Sequence, residues 1–206
     1  MTRIKICGLR RIEDIHIVNE YLPDYIGFVF AKGKRTVMWK EAAKLREKLD
    51  TRIQAAGVYV NAPIHDILIT AQEGTIDIIQ LHGEESEEYI LQLKEQTNLP
   101  IIKAIRVKSK EEIEKSQHIG SDYLLLDSYD QYQYGGSGKT FDYRLIPHLE
   151  KPFFLAGGLG TDNIEYAIKE VKPFAVDISS HVEVDGYKDR EKIREIIEIV
   201  RHISDQ

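Results

Sequence analysis

Side chains that can exchange protons end several short apolar runs in this chain of 206 residues. Cys7, the single cysteine, ends RIKIC, His82 follows IIQL, and Asp127 ends LLLD. Thiol, imidazole and carboxyl groups are common proton donors and acceptors in enzyme sites. Taken singly, each has an ordinary explanation as a small buried residue, a loop histidine or a loop cap. They indicate chemistry only if the fold brings them together.

A second pattern indicates an anion site. Gly157 and Gly158 follow one apolar run in LAGGLG, and Ser179 and Ser180 follow the next in DISSHVE. Glycine permits close approach of the backbone, and the free N–H groups of a helix N-terminus attract anions. The two motifs together predict a phosphate site, and two tight glycine turns are the alternative.

Two further loops carry polar or aromatic residues. The basic cluster at 32–35 (KGKR) is either an ordinary solvated charge run or a site for an anion. In an anion site, Arg35 would donate two hydrogen bonds to a carboxylate. The longest loop, 128–140, contains three glycines and three tyrosines. The glycines suit a mobile cover over a site. The tyrosines either line an aromatic pocket or merely shield the loop.

The elements that must position these residues alternate regularly between strand and helix. Short apolar runs bounded by Gly, Pro, Asn or Asp are typical of buried parallel strands. About eight strand–helix pairs predict a single-domain (β/α)₈ TIM barrel over 1–206, and an open doubly wound sheet is the alternative. The predicted strands are 3–7, 25–30, 53–60, 76–81, 100–107, 123–127, 152–156 and 174–178. The predicted helices are 12–21, 39–49, 63–71, 86–96, 110–117, a short turn at 143–149, 161–170 and 189–203.

The barrel prediction brings the candidate residues to one end. In such barrels chemistry takes place at the carboxyl ends of the strands, and side chains alternate between the interior and the helix layer. Cys7 is then at the mouth with Lys5 one layer below, while Ile4 and Ile6 face the helices. The same parity sends these residues to the mouth: Gln80, His82, Asp127, Asp177 and Ser179.

Composition excludes several classes of protein. The net charge is −6 with both signs interspersed, which gives no basic face for nucleic acid. One cysteine excludes an internal disulfide and a cysteine-rich zinc cluster. The chain shows neither a secretory signal nor an apolar stretch of the ~20 residues that span a bilayer. We therefore expect a cytoplasmic protein that binds neither nucleic acid nor a membrane.

The assembled motifs closely resemble phosphoribosylanthranilate isomerase of tryptophan biosynthesis. They run in order over nearly the whole chain as KICGL, GFVF with KGKR, GVYVN, QLHG, LLLD, GGSGKTFDY, LAGGL, and DISS followed by VE and GYKD. The resemblance implies the Amadori rearrangement of N-(5-phosphoribosyl)anthranilate to 1-(2-carboxyphenylamino)-1-deoxyribulose 5-phosphate, without metal or cofactor. It also implies a monomer or a homodimer, because the family contains both.

The resemblance also implies roles for individual residues. Cys7 would be the general base, Asp127 the general acid, and Arg35 the group that binds the anthranilate carboxylate. We expect Gln80, His82 and Asp177 to contact the substrate. The phosphate would lie against Gly157, Gly158, Ser179, Ser180 and His181.

Two expectations concern how these residues work. A thiol is largely protonated at neutral pH, so we expect Lys5 or a strand-end dipole to lower the pKa of Cys7. His181 stands where the family pattern has a glycine, and a positive φ there would cost roughly 1–2 kcal/mol. Phosphate binding is then weaker, or His181 itself contacts the phosphate.

Two other functions compete with the isomerase. Another phosphosugar barrel, such as an epimerase or the related histidine-pathway isomerase, would use paired carboxylates or metal-binding histidines. Cys7 with Asp127 does not fit that pattern. A phosphosugar-binding or regulatory domain without catalysis is the other alternative, and the filled acid and base positions argue against it.

Overall fold

The computed structural model of the chain describes residues 1–128 and 142–204. Eight parallel strands close into a barrel in sequence order, and β8 pairs with β1. This arrangement confirms the predicted TIM barrel and excludes the open sheet. The tyrosines and glycines of the predicted cover lie outside the described residues. The strands are β1 Arg3–Cys7, β2 Tyr25–Val29, β3 Gln54–Tyr59, β4 Ile78–Leu81, β5 Ile101–Val107, β6 Tyr123–Ser128, β7 Phe153–Leu155 and β8 Ala175–Ile178.

Seven α-helices surround the strands in the described part of the chain, and a hairpin of two short strands, β9 Glu183–Val184 and β10 Tyr187–Lys188, precedes the last helix. No helix among residues 1–128 and 142–204 is both long and apolar enough to cross a bilayer. The helices are α1 Ile12–Tyr21, α2 Trp39–Arg46, α3 Ile64–Gln72, α4 Glu87–Lys94, α5 Lys110–Ser116, α6 Ile164–Val171 and α7 Arg190–Ser204.

Alternation along the strands divides the core into two layers, as predicted. Ile4 and Ile6 pack in the outer layer with Ile193, Ile196 and other buried residues of α7. The interior is filled by a different set, and its aromatic rings lie near the amino ends of the strands, opposite the mouth. Those interior residues include Tyr25, Ala56, Ile102, Leu125, Phe154 and Ala175.

The helix predicted over 39–49 ends three residues early, at Arg46, and two further predictions differ for local reasons. The turn predicted at 143–149 is only a 3₁₀ turn, Tyr143–Leu145, because Pro147 favours an extended conformation at Ile146 (φ −77°, ψ 113°). The helix predicted from residue 161 begins at Ile164. Asn163 accepts a hydrogen bond from the Gly160 N–H (2.9 Å) and donates one to the Gly158 carbonyl (2.8 Å), which holds the preceding residues in a turn.

The β9–β10 hairpin was not predicted. Asp185 and Gly186 connect its strands with positive φ angles of 51° and 78°. Two successive residues of positive φ match a type I′ turn, for which Asp-Gly is a favoured pair. The hairpin places Glu183 and Lys188 beside the mouth of the barrel.

Candidate active site

One cavity of about 620 Å³ opens at the carboxyl ends of the barrel strands. A smaller hollow at the opposite end, lined by residues such as Pro100 and Asp122, contains none of the candidates. Every residue predicted for the site lines the larger cavity: Cys7, Arg35, Gln80, His82, Asp127, Gly157, Gly158, Asp177, Ser179, Ser180 and His181.

Cys7 lies at the end of β1 above a buried ion pair. The Lys5 ammonium is fully buried and donates to both Asp177 carboxylate oxygens, at 3.0 and 2.9 Å. The two residues face each other in the register that joins β1 to β8. Burial disfavours the charged ammonium, but Asp177 and then Cys7 outweigh it, so the pKa of Lys5 lies above its ordinary value. Asp177 therefore pairs with Lys5.

The expected lowering of the Cys7 pKa was wrong in its net direction. Burial raises the pKa of the thiol, and this effect outweighs the opposing influence of Lys5. Asp177 raises the pKa further, while Lys188 lowers it. Lys5 therefore acts on the thiol in the predicted sense, but desolvation of a thiol that is 8% exposed is the larger effect.

A glycine of β2 makes room for the thiol. Gly27 pairs with Cys7 in the β1–β2 register, and a Cβ at Gly27 would lie 2.7 Å from the sulfur and 3.2 Å from Lys5 Nζ. The sulfur and the ammonium thus both approach one point at the strand surface. Any side chain at Gly27 would displace the thiol or the ammonium beneath it.

Asp127 is the penultimate residue of β6 and is 3% exposed. Its Oδ2 lies 3.2 Å from Nε2 of His82, and Nδ1 of the same ring lies 2.9 Å from the side-chain nitrogen of Gln80. Asp127 Oδ1 is buried and has no hydrogen-bond partner among the described residues. The predicted acid therefore faces the cavity with one of its two oxygens engaged.

Arg35 is engaged by a carboxylate of the protein itself. Its Nε and one terminal nitrogen donate to the two oxygens of Glu183, at 2.7 and 2.8 Å. Glu183 also accepts from Lys188 (2.7 Å), whose ammonium donates in addition to the Ser179 carbonyl. Gly8 permits this arrangement, because a Cβ there would lie 2.4 Å from Arg35 Cδ.

The hairpin that carries Glu183 and Lys188 is held from the opposite side. The guanidinium groups of Arg10 and Arg11 lie 4.7 and 4.1 Å from the centre of the Tyr187 ring. Arg10 also donates to the Gly186 carbonyl (3.0 Å). The loop after β1 and the hairpin after β8 thus pack against each other beside the cavity.

The predicted phosphate loops lie side by side at the rim. Gly157 and Gly158 have φ angles of 89° and 67°, a region that suits glycine. A Cβ at Gly157 would lie 2.6 Å from the Ser128 backbone nitrogen, so the position also excludes a side chain sterically. The Ser179 hydroxyl donates to the Cys7 carbonyl at 3.1 Å, which ties this rim to the end of β1.

His181 occupies an ordinary backbone conformation within the 3₁₀ turn Ser180–Val182, and its φ is not positive. The strain considered for a histidine at this position is therefore absent. Its ring packs against Gly160, where a Cβ would lie 2.9 Å from His181 Cδ2. The imidazole is exposed and lines the cavity beside Ser180.

The sequence interpretation assigned no role to Glu183 and Lys188. Glu183 holds Arg35, and Lys188 lowers the pKa of Cys7. The motif letters VE and GYKD contain both residues, and the Asp-Gly pair between them is a hairpin signal that would have brought them together. Their position beside Arg35 depends on barrel closure, which no local pattern reveals.

Comparisons with known proteins show to which family the chain belongs. The family model described as N-(5'-phosphoribosyl)anthranilate (PRA) isomerase matches residues 4–199. N-(5'-phosphoribosyl)anthranilate isomerase of Endomicrobium trichonymphae is 48% identical over 98% of this chain and 100% of its own. The crystal structure of phosphoribosyl anthranilate isomerase from Thermotoga maritima is 33% identical, covers 98% of this chain and 100% of its own, and has a TM-score of 0.87.

A further solved structure of the isomerase contains a ligand. It is a complex with reduced 1-(o-carboxyphenylamino)-1-deoxyribulose 5-phosphate, is 32% identical with a TM-score of 0.82, and covers 98% of this chain and 100% of its own. The match of the family model extends over nearly the whole barrel, and the relative from Endomicrobium trichonymphae is similar over its full length. The chain belongs to the N-(5'-phosphoribosyl)anthranilate isomerase family.

Proposed function

We propose that this chain catalyses the Amadori rearrangement of N-(5-phospho-β-D-ribosyl)anthranilate to 1-(2-carboxyphenylamino)-1-deoxy-D-ribulose 5-phosphate, a step of tryptophan biosynthesis. One observation carries the proposal: the thiol of Cys7 and the carboxyl group of Asp127 line the same cavity, together with a carboxylate-binding arginine and two anion-binding loops. Two relatives that match this chain over their full length carry the name of this isomerase.

The reaction needs an acid and a base acting in turn. Asp127 protonates the furanose ring oxygen, the bond from C1 to that oxygen breaks, and the anilino nitrogen supplies the electron pair to form an iminium. Cys7 then removes the proton from C2, and the C–H electrons neutralise the iminium to give an enolamine. The enolamine tautomerises to the ketone. The substrate's own nitrogen is the electron sink, so we propose no metal and no cofactor.

The buried thiol suits this order of events. Burial keeps Cys7 protonated more strongly than in water, but the iminium formed by ring opening introduces a positive charge beside it. That charge, with Lys5 and Lys188, favours the thiolate at the stage when a base is required. We infer that ring opening precedes and promotes deprotonation of Cys7.

Substrate binding follows from charge. Arg35 uses only one edge of its guanidinium group on Glu183, so its other N–H groups can donate to the anthranilate carboxylate. The loops of Gly157 with Gly158 and of Ser179 with Ser180 would receive the phosphate, and His181 adds a side-chain donor at their edge. Substrate contacts from Gln80, His82 and Asp177 stay predictions.

The test follows the fluorescence of freshly prepared phosphoribosylanthranilate. Wild-type protein is expected to convert it, and Cys7→Ser and Asp127→Asn are expected to lose turnover while retaining binding of a phosphate-bearing analogue. Absence of turnover in the wild type would eliminate the isomerase. Full turnover in either variant would remove that residue from the mechanism.

The same proposal covers partner and location. The small phosphosugar–anthranilate molecule is the proposed partner of the chain, which acts as a monomer or a homodimer. A cytoplasmic location fits a mechanism that needs its single cysteine as a free thiol.

A further inference from the structure

Two polar residues stand behind the carboxyl group of Asp127 in a linear arrangement. Gln80 lies in β4 and His82 directly follows this strand, two residues on, and both side chains line the cavity. The Gln80 side-chain nitrogen lies 2.9 Å from His82 Nδ1, and His82 Nε2 lies 3.2 Å from Asp127 Oδ2. Gln80 is 1% exposed, so its end of this hydrogen bond is buried.

The chemistry of the amide fixes the proton on the imidazole. In the structure the Gln80 amide nitrogen faces His82 Nδ1, and the amide oxygen is buried without a partner among the described residues. In this orientation the nitrogen only donates, so Nδ1 of His82 accepts and carries no proton. The neutral ring then has its proton on Nε2, the nitrogen that faces Asp127. His82 therefore donates to Asp127 Oδ2.

The backbone beside His82 is fixed by a second buried group. Lys103 donates to the Gly83 carbonyl (2.7 Å) and to Glu85 (2.6 Å), and Glu85 accepts from the Gly83 N–H (3.0 Å). Both backbone groups of Gly83 are thus held, and the imidazole on the preceding residue cannot drift from Asp127. None of these groups lines the cavity, so they act on the site only through His82.

The two oxygens of Asp127 consequently differ. Oδ2 is occupied by the imidazole, whereas Oδ1 is buried without a partner among the described residues. An acid that transfers its proton to a substrate atom needs one free oxygen for the proton. It also benefits from a donor on the other oxygen, because that hydrogen bond strengthens as the carboxylate forms.

We propose that Gln80 and His82 are positioning residues for the acid: Gln80 holds His82 as the Nε2–H tautomer, and His82 holds Asp127 so that Oδ1 delivers the proton. This inference rests on the proposed isomerase activity, and it replaces direct substrate contact as the role of both residues. The proton moves from Asp127 Oδ1 to the ring oxygen, and the imidazole keeps its own proton throughout.

The tautomer is tested on the wild-type protein without any turnover. Ring-¹⁵N spectra of histidine-labelled protein report the protonated nitrogen of each of the seven histidines, and the resonances of His82 are identified by their loss in His82→Asn. The expected result is a neutral ring protonated at Nε2. A ring protonated at Nδ1, or an imidazolium, overturns the proposal even if the enzyme is fully active.

Kinetics test the positioning role with a matched pair of variants. The amide nitrogen of glutamine reaches the place of Nε2, so His82→Gln retains a donor to Asp127, whereas His82→Asn does not. We expect His82→Asn to lower kcat about 10- to 100-fold with little change in KM, the loss typical of a hydrogen bond to a charged group, and His82→Gln to restore most of it. Exposed His65 provides the control variant His65→Asn, expected to leave kcat unchanged.

A double-variant cycle completes the test. Gln80→Leu should lower kcat in the wild-type background and add nothing to His82→Asn, because Gln80 acts only through the imidazole. Equal losses in His82→Asn and His82→Gln, or an additive loss from Gln80→Leu, would show that the two residues merely support the fold. Absence of turnover in the wild type is the separate failure of the proposed function.

Discussion

The substitution Glu183→Gln tests how Arg35, the proposed partner of the substrate carboxylate, is held. Glu183 lies between Arg35 and Lys188 and accepts hydrogen bonds from both. Glutamine retains the shape but removes the charge. Lys188, whose side chain is 1% exposed, then lacks a counter-charge, and Arg35 loses its two-oxygen partner. We expect a less stable protein that binds substrate more weakly.

The pKa of Glu183 sets the size of the expected loss of stability. Burial raises this pKa, but Arg35 and Lys188 outweigh it and lower the pKa to about 2. A carboxyl group with a pKa of about 4.5 in the unfolded chain and about 2 in the folded protein stabilises the folded state by about 3 kcal/mol at neutral pH. The stabilisation is complete above the unfolded pKa and is lost as the pH falls towards 2, so roughly 1 kcal/mol is left at pH 3.

Urea denaturation of wild type and Glu183→Gln at pH 7 and pH 3 measures this contribution. We expect a difference of about 3 kcal/mol at pH 7 that shrinks at pH 3, and a raised KM with a smaller change in kcat. Glu165→Gln, which removes the exposed pair with Lys169, is the control and should change stability far less. A difference at pH 7 no larger than that of the control, or one that grows at low pH, would refute the reasoning.

Further predictions concern the glycine rim and the thiol. Gly157→Ala should destabilise the protein by ~1–3 kcal/mol more than Gly74→Ala in urea denaturation, because both glycines have positive φ but only Gly157 would meet a neighbouring atom. Equal losses would show that backbone conformation alone requires glycine. Alkylation of Cys7, the single cysteine, should shift to higher pH in Lys5→Met, since Lys5 lowers the thiol pKa. An unchanged profile would remove Lys5 as an influence on the base.

Much of the fold follows from local pattern. Turn residues mark the strand boundaries, and the predicted start of each barrel strand lies within two residues of the observed one, as for β1 and β5. Alternation placed Lys5 and Cys7 inside the barrel, because β-strand geometry leaves only two faces. Two helix predictions differ from the structure where one residue changes the backbone conformation. Pro147 does so after the 3₁₀ turn, and Asn163 does so before α6.

The partners of the site residues could not be predicted in the same way. Parity shows that Asp177 and Lys5 point inward, but only the closing β8–β1 register sets them opposite each other. The Glu183 carboxylate contacts Arg35, which lies 148 positions earlier in the sequence. Glu183 belongs to the β9–β10 hairpin, which is not part of the barrel sheet. Such contacts depend on how the barrel closes, and alternation carries no information about closure.

The pKa of Cys7 shows how packing that the sequence does not reveal can reverse a predicted shift. The sequence identified a lysine two positions from the thiol, and the structure bears out that Lys5 favours the thiolate. Yet the same strand geometry that brings Lys5 near also buries Cys7, and it pairs Lys5 with Asp177, whose charge opposes the thiolate. A neighbouring charge can be inferred from spacing, whereas desolvation depends on everything packed around the group. In the mechanism we propose, the substrate therefore activates Cys7: the cation formed on ring opening supplies the charge that the buried ion pair does not.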